Sequence, residues 1–395
     1  MRCDDKIEGI DTEERGEHLL MIYAYKARLY PNMEQERKII NNFGCVRFVY
    51  NYFLAMRQQR YKETGETMGW IECCKHLTEL KKRPQTAWLK EADAKSLQSA
   101  IRNLDAAYQK FFRNIKQGKK PTGYPQFKSK KNAKQSYTTR QGVIVDVSSG
   151  KVKLPKLGEI KCRGLRPMQG SIVNATVSKS ASGKYYISFC YELEQDLPKL
   201  TTTGAVVGLD LGISSFAVSS DGIEYPNPKY LRRSEKKLAR LQRQMSRKTK
   251  GSKNYEKARI RLARLHEHIA NQRKDMQHKL STELVRQYDV ICVEGMQIQN
   301  LLKKSMFAKF IADTGWGEFR RQLVYKADWY GKKTILTKAA FPSNQICSKC
   351  GGELPDGKNP GIQHLVCPAC GEKLDRRKNA ACNILKQGLR QETAA

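Results

Sequence analysis

The sequence lacks any apolar run of about 18 residues, the length that a membrane-spanning helix requires. Residues 1–20 are acidic and contain no apolar core, so they do not form a secretory signal, and we expect a disordered tail there. Eight of the twelve cysteines show no spacing typical of a disulfide framework. These absences predict a cytoplasmic protein, bacterial or archaeal, with free thiols and no membrane partner.

Acidic residues are few relative to basic ones. The 395 residues include 73 Lys and Arg against 39 Asp and Glu, which gives a net charge of +34. A charge of this size exceeds what solubility needs and opposes compaction, so a polyanion partner is the simplest reason to carry it. A basic, solvated surface is the alternative, and it is weaker because the excess persists along the whole chain. A hydrophobic content of 39% allows packed cores in two or three domains.

The first half predicts a small β structure interrupted by helices. The run MIYAYKARLYP alternates apolar with polar residues and indicates a strand, and helical spacing follows over 32–63 and 68–118. The short alternating runs GVIVDV, KVKLP, SIVNATVSK and KYYISFCYEL then predict an antiparallel sheet or barrel.

A loop between these parts mixes turn residues, aromatic rings and lysines. Such a mixture is typical of single-strand nucleic-acid binders, although a plain surface loop with one buried ring is a fair competitor. The candidate nucleic-acid-binding residues in it are Tyr124, Phe127, Lys128, Lys130 and Lys131.

The second half alternates short apolar strands (AVVGLDLG, FAVSSDG, DVICV and KKTILTKA) with helices, which predicts an α/β sheet with insertions. Residues 228–288 form a strongly charged helical stretch that the segment KTKGSKN divides in two. Its cations should neutralise phosphates, unless they form salt bridges with glutamates 235, 256 and 267. The cations that we single out are Arg232, Arg233, Lys236, Arg240, Arg243 and Arg247.

Three carboxylates stand where a sheet-based nuclease needs them. Asp210 lies inside an apolar strand, Glu294 ends another, and Asp375 precedes the last helix. Two-metal phosphodiester hydrolysis requires such a cluster, and Mg²⁺ prefers carboxylate ligands, so we expect two Mg²⁺ ions on these acids. Taken singly, a turn residue, an ordinary strand end and a helix N-cap are equally good interpretations.

Four cysteines form two CxxC pairs, each followed by glycine: Cys347, Cys350, Cys367 and Cys370. Two such knuckles predict a closed, structural zinc site. A redox pair is the weaker alternative, since one pair would suffice for that role.

The motifs GLDLG, FAVSSDG, VEG, FPSNQICSKCGG, CPACG and LDRRKNAACNIL, in this order, resemble the RuvC and zinc-ribbon modules of TnpB proteins. The resemblance spans residues 21–388 and implies an α+β multidomain fold, with an RNase H-type RuvC-like domain, an inserted zinc ribbon, and a wedge β-barrel with a helical recognition insertion. The implied parts are the wedge domain (21–48 and 121–200), the recognition domain (49–120), the RuvC-like domain (204–342, with a helical insertion at 228–288), the zinc ribbon (343–371) and the C-terminal helix and tail (372–395).

The resemblance also implies a guide RNA, a double-stranded DNA target next to a short motif that the protein reads, and magnesium-dependent cleavage. Residues near Tyr50, Asn51 and Tyr52 are candidates for reading the motif, although core packing explains them equally well. Whether one chain or a dimer binds each RNA stays open.

The third acid of the family falls on Arg377 in this chain. Either Asp375 replaces that acid in an RNA-guided endonuclease, the interpretation we favour, or the protein is a guided repressor that binds without cleaving. A third hypothesis is a transposase that uses the same acids without RNA.

Overall fold

The structure is a computed structural model that describes residues 22–120, 122–131, 135–193, 199–304, 308–338, 341–359 and 361–393. The tail expected over residues 1–20 lies outside this range. The chain divides into two compact units, Met1–Asp196 and Leu197–Ala395. Among the described helices, none is long and apolar enough to cross a membrane.

The first unit contains a seven-stranded antiparallel sheet in the order β2-β6-β7-β1-β5-β4-β3. The strands are β1 Ile22–Tyr30, β2 Gln135–Thr139, β3 Ile144–Asp146, β4 Lys151–Leu154, β5 Gly158–Arg163, β6 Gly170–Lys179 and β7 Tyr185–Leu193. The alternating runs in the sequence therefore form strands of one sheet. The strand order is linear, with β2 and β3 at the edges of the sheet. Among the described residues these two edge strands do not pair with each other, as they would in the expected closed barrel.

Helices occupy the chain between β1 and β2. They are α1 Met33–Thr64, α2 Trp70–Leu80, a 3₁₀ helix Pro84–Glu91 and α3 Ala94–Lys116. Helix α1 begins with a capping box, in which the Asn32 side chain accepts from the Gln35 N–H and the Gln35 side chain accepts from the Asn32 N–H. The ring of Phe43 on α1 packs 5.8 Å from that of Tyr137 on β2, which joins the helices to the sheet.

The second unit is built on a five-stranded mixed sheet in the order β10-β9-β8-β11-β12. Its strands are β8 Val206–Leu211, β9 Ser215–Ser219, β10 Glu224–Pro226, β11 Val290–Val293 and β12 Lys333–Leu336. Strand β8 continues into β9 as a hairpin, and β8, β11 and β12 run parallel. The carboxyl ends of these three strands therefore meet at one edge of the sheet.

The described residues of this unit form six α-helices: α4 Tyr230–Ser246, α5 Lys253–Gln287, α6 Ile298–Lys304, α7 Ala308–Thr314, α8 Trp316–Tyr330 and α9 Arg376–Thr393. A short hairpin of β13 His364–Val366 and β14 Lys373–Asp375 lies near the cysteines. The break between α4 and α5 falls at the predicted segment. Helices α6 and α7 were not predicted.

The sheet is covered on both faces. Side chains of α5 and α8 join the core cluster formed by Val207, Leu209 and Val293, and the Phe319 ring on α8 lies 4.9 Å from that of Phe216. Helix α9 packs against β8 and β11. It approaches β8 so closely that a Cβ on Gly208 would lie 2.1 Å from the Ala381 carbonyl oxygen, so this position requires glycine.

Candidate functional site

Asp210 and Glu294 come together because β8 and β11 pair in parallel. Val293 stands opposite Leu209, so the next residue on each strand brings Glu294 beside Asp210 at the carboxyl edge of the sheet. Asp210 lies two residues after Gly208, on the same face of β8, which is the face that α9 covers. Asp210 is 8% exposed and Glu294 is half-buried.

Burial and neighbouring charges shift the pKa of both carboxyl groups. Burial raises the pKa of Glu294 to about 7, and the negative charge of Asp210 adds to the shift, whereas Arg320 opposes it. Burial also raises the pKa of Asp210, against the opposing charge of Arg377. Two acids held this way favour a bound cation, because a cation removes both the burial penalty and their mutual repulsion.

The cation in contact with Asp210 is Arg377, near the start of α9. Its Nε donates to the Asp210 carboxylate at 2.7 Å, its Nη2 donates to the Asp210 carbonyl at 2.9 Å, and its Nη1 donates to the Ser215 carbonyl at 3.3 Å. Both side chains of the ion pair are mostly buried, at 14% and 11% exposed. The guanidinium lies over Gly212, where a Cβ would come within 2.5 Å of Nη2.

Asp375 occupies a different position. It is the last residue of β14 and is exposed, and its carboxylate accepts from the Lys378 N–H at 2.8 Å, which is the contact of a helix N-cap. Its negative charge raises the pKa of Asp210, but this effect is the smallest of the five that act on the Asp210 carboxyl group. Its predicted role as a third metal ligand stays a prediction.

This arrangement does not fit a pair of Mg²⁺ ions. Two of the three expected acid positions hold carboxylates, and the third holds a guanidinium that already donates to the Asp210 carboxylate. Asp210 and Glu294 are the residues that would hold a single divalent cation.

The four predicted cysteines form one cluster, with all sulfur atoms within 4.8 Å of one another. Cys347 Sγ lies 3.8 Å from Cys370 Sγ, and Cys350 Sγ lies 3.6 Å from Cys367 Sγ. A tetrahedral zinc with Zn–S bonds of about 2.3 Å requires sulfur separations of about 3.8 Å, so the cluster fits zinc. All four positions are thiols, which leaves no open position for water and suits a structural role.

Two asparagines that sequence reasoning missed join this cluster to α9. Asn379 accepts from the Ser348 N–H at 2.7 Å and donates to the Ile346 carbonyl at 2.8 Å, and Asn383 donates to the carbonyls of Ile346 and Ser343 at 2.6 and 2.9 Å. Both are almost fully buried. Their spacing of four residues could have identified them in the sequence, since it places two side-chain amides on one face of a helix.

The predicted cations of α4 share one exposed face. At 3.6 residues per turn they fall within an arc of about 100°, opposite the apolar stripe of Leu238, Leu241 and Met245 that packs on α5. Within the part of the chain that the structure describes, Glu235 pairs with Lys309 and Glu256 with Arg259, and none of these α4 cations forms an ion pair. The six residues are Arg232, Arg233, Lys236, Arg240, Arg243 and Arg247.

The predicted loop contacts both α1 and α3. Tyr124 is 40% exposed and its ring meets that of Phe111 edge-on at 5.0 Å, while Phe127 is 56% exposed. Asn51 accepts from the Lys128 N–H and donates to its carbonyl, and the Lys128 ammonium lies 4.0 Å from the centre of the Tyr50 ring. Lys130 and Lys131 are exposed. Tyr50 and Asn51 thus hold this loop on α1, and any role in reading DNA stays a prediction.

The fold and this site define a class: an α+β protein with two acids at the carboxyl edge of a mixed sheet and a four-cysteine cluster that could hold a metal ion. Three family models match the chain: "Probable transposase" over residues 188–305, "Helix-turn-helix domain" over 21–66 and "Cas12f1-like, TNB domain" over 316–384. In this structure the described part of the second range forms one strand and one long helix, β1 and α1.

Similar proteins cover almost the whole chain. A protein of Streptomyces pristinaespiralis named "Putative RNA-guided DNA endonuclease" is 36% identical, over 93% of this chain and 89% of its own length. InsQ of Escherichia coli K12, which carries the same description, is 34% identical, over 93% and 92%. The "TnpB-like protein L79" of a mimivirus is 31% identical over 35% of this chain and 27% of its own length. The chain belongs to the TnpB family.

Proposed function

We propose that this protein is an RNA-guided DNA endonuclease. The observation that carries the proposal is the meeting of two carboxylates, the buried Asp210 and the half-buried Glu294, at the carboxyl edge of neighbouring parallel strands. Burying two acids beside each other is costly unless a cation compensates them, so the arrangement serves cation binding rather than stability. The names of the Streptomyces and Escherichia coli relatives support the choice of reaction and of an RNA guide.

Cleavage would require Arg377 to give up its contact with Asp210. A bound magnesium ion would polarise a phosphodiester and activate water, and Asp210 and Glu294 would hold it. Because Arg377 donates to the Asp210 carboxylate, it must release that carboxylate before Asp210 can serve as a full metal ligand. Asp375 would complete the site only if the start of α9 rearranged, since it now caps that helix.

The α4 face supports nucleic-acid binding. Its six cations, which form no ion pair with any residue that the structure describes, span about 22 Å along the helix axis, which matches about six base pairs of a duplex at 3.4 Å per pair. Such a row neutralises phosphates without reading bases, so it suits a guide–target hybrid of any sequence. The loop with Tyr124 and Phe127 adds exposed rings on which unpaired bases could stack.

A second candidate function is guided DNA binding without cleavage. One specific observation favours it: the position of the third acid is held by Arg377, which forms a buried ion pair with the first acid. The two candidates share the guide RNA, the DNA target and the zinc ribbon, and they differ only in whether the bound DNA is cut.

The test begins with RNA that co-purifies with the protein. Its sequence supplies the guide, and a plasmid matching the guide is incubated with the complex and Mg²⁺ beside an Asp210→Ala variant. Cutting by the wild type alone supports the endonuclease, whereas tight binding by both proteins with no cutting supports the second candidate. A protein that carries no RNA and needs none to bind DNA refutes both, and leaves the transposase.

A further inference from the structure

The geometry points to Arg377 as a built-in competitor of the catalytic cation. We propose that the Asp210 carboxylate binds either the Arg377 guanidinium or a divalent metal ion, but not both at once. The site is therefore inhibited whenever Arg377 is paired with Asp210. The inference rests on the proposed role of Asp210 as a metal ligand.

The guanidinium lies in a site that is shaped for it. Each of its three nitrogens donates one hydrogen bond, and the acceptors come from both arms of the β8–β9 hairpin: the carboxylate and carbonyl of Asp210 and the carbonyl of Ser215. The absence of a side chain at Gly212 provides the room, because a Cβ there would overlap the guanidinium carbon at 2.7 Å. A solvent-facing arginine that touches an acid by chance has no such set of acceptors.

The contact also excludes a metal ion for electrostatic reasons. The Nε proton points at Asp210 Oδ2, one of the two oxygens that a cation would use. A divalent ion bound to the same carboxylate would stand a few ångströms from a buried positive charge. At an effective dielectric constant of about 20, one pair of unit charges about 4 Å apart changes an equilibrium constant roughly 1,000-fold.

A purely structural role is the competing explanation, since the buried pair also joins α9 to the hairpin. The two explanations differ in what happens to metal affinity. A structural arginine changes stability when it is replaced, whereas a competitor also changes the affinity of the site for divalent ions.

The experiment measures Mn²⁺ binding to the purified full-length protein by electron paramagnetic resonance, with Mg²⁺ thermal shift as a second readout. The variants are Arg377→Asp, which adds the third acid, and Arg377→Gln, which replaces the guanidinium with a shorter, neutral amide. Arg390→Asp, at the exposed far end of α9, makes the same charge change away from the site and serves as the matched control. Asp210→Asn is added to the Arg377→Asp background.

We expect Arg377→Asp to bind Mn²⁺ at least 100-fold more tightly than the wild type, and Arg377→Gln at least 10-fold, with no change for Arg390→Asp. The gain should vanish when Asp210→Asn is added. If Arg377→Asp does not fold, the neutral Arg377→Gln decides the question. Equal Mn²⁺ affinity in the wild type and the Arg377 variants overturns the inference. A wild type that binds no RNA would instead refute the proposed function and leave the metal result intact.

Discussion

The exposed cations of α4 make a quantitative prediction for nucleic-acid binding. Replacing Arg232, Lys236 and Arg240 with alanine removes three charges from one helical face that forms no ion pairs among the described residues. If each contacts one phosphate, the slope of log K against log salt concentration should become shallower by about 0.7 per contact on a single strand and about 0.9 on a duplex. The triple variant should therefore lose about 2 to 3 units of slope.

The assay is fluorescence anisotropy with single-stranded RNA and with duplex DNA, over KCl from about 50 to 300 mM. The control is a triple variant with the same charge change, made at cations that already have acidic partners: Lys38, Lys82 and Lys279, paired with Glu34, Glu79 and Asp275. These charges are already partly compensated, so their removal should change the slope by less. Equal losses in the two triple variants would refute the reasoning, because only net charge would then matter.

Three further predictions concern the scaffold of the site. Cys350→Ser, or a zinc chelator, should lower the thermal unfolding temperature of the second unit and release about one zinc per chain, measured by a colorimetric zinc assay. Asn383→Ala should cost about 1–3 kcal/mol in urea unfolding, because it removes the side-chain donor of the buried Ser343 carbonyl and one of the two donors to the Ile346 carbonyl; an unchanged midpoint would refute this. Phe319→Ala should cost about 3–5 kcal/mol in the same assay, since the ring is fully buried in the sheet core.

The local patterns in the sequence were sufficient to predict most elements of the second unit. Short apolar runs became β8 and β11 because a strand covered on both faces must be apolar throughout. The edge strand β12 is only partly apolar and less buried. The same reasoning located Asp210 and Glu294, since an acid beside such a run is conspicuous. The cysteine spacing predicted the cluster because two CxxC turns present four thiolates to one centre.

Other features depended on long-range geometry. Five of the seven strands of the first unit were predicted from alternating runs, whereas β2 and β5 were not. Whether the sheet closes depends on curvature and on the pairing of its edges, which alternation does not specify. The distinction between Asp375 as a metal ligand and as a helix cap depended on the residue at which α9 begins, and helix ends are the least certain part of any sequence-based assignment.

The position of the Arg377 side chain, by contrast, follows from the helical periodicity of α9 once one contact between α9 and the sheet is known. Ala381, Ile384 and Gly388 are buried, and both Ala381 and Gly388 lie against the sheet, at Gly208 and Cys292. Residue 377 precedes them by four, seven and eleven positions, so it shares their helical stripe. Residue 375 lies before the helix and two positions away, so it cannot share that stripe.

Asn379 and Asn383 lie on a different face of α9, and their side chains bind the backbone beside Cys347. These hydrogen bonds fix the rotation of α9 about its own axis. Whatever side chain stands at position 377 is therefore directed onto Asp210. An acid there would add a ligand to the cation site, and the arginine found there supplies a cation of its own. The backbone beside the cysteine cluster, by holding α9 through these hydrogen bonds, thus helps to keep the side chain of residue 377 on the carboxylate of Asp210.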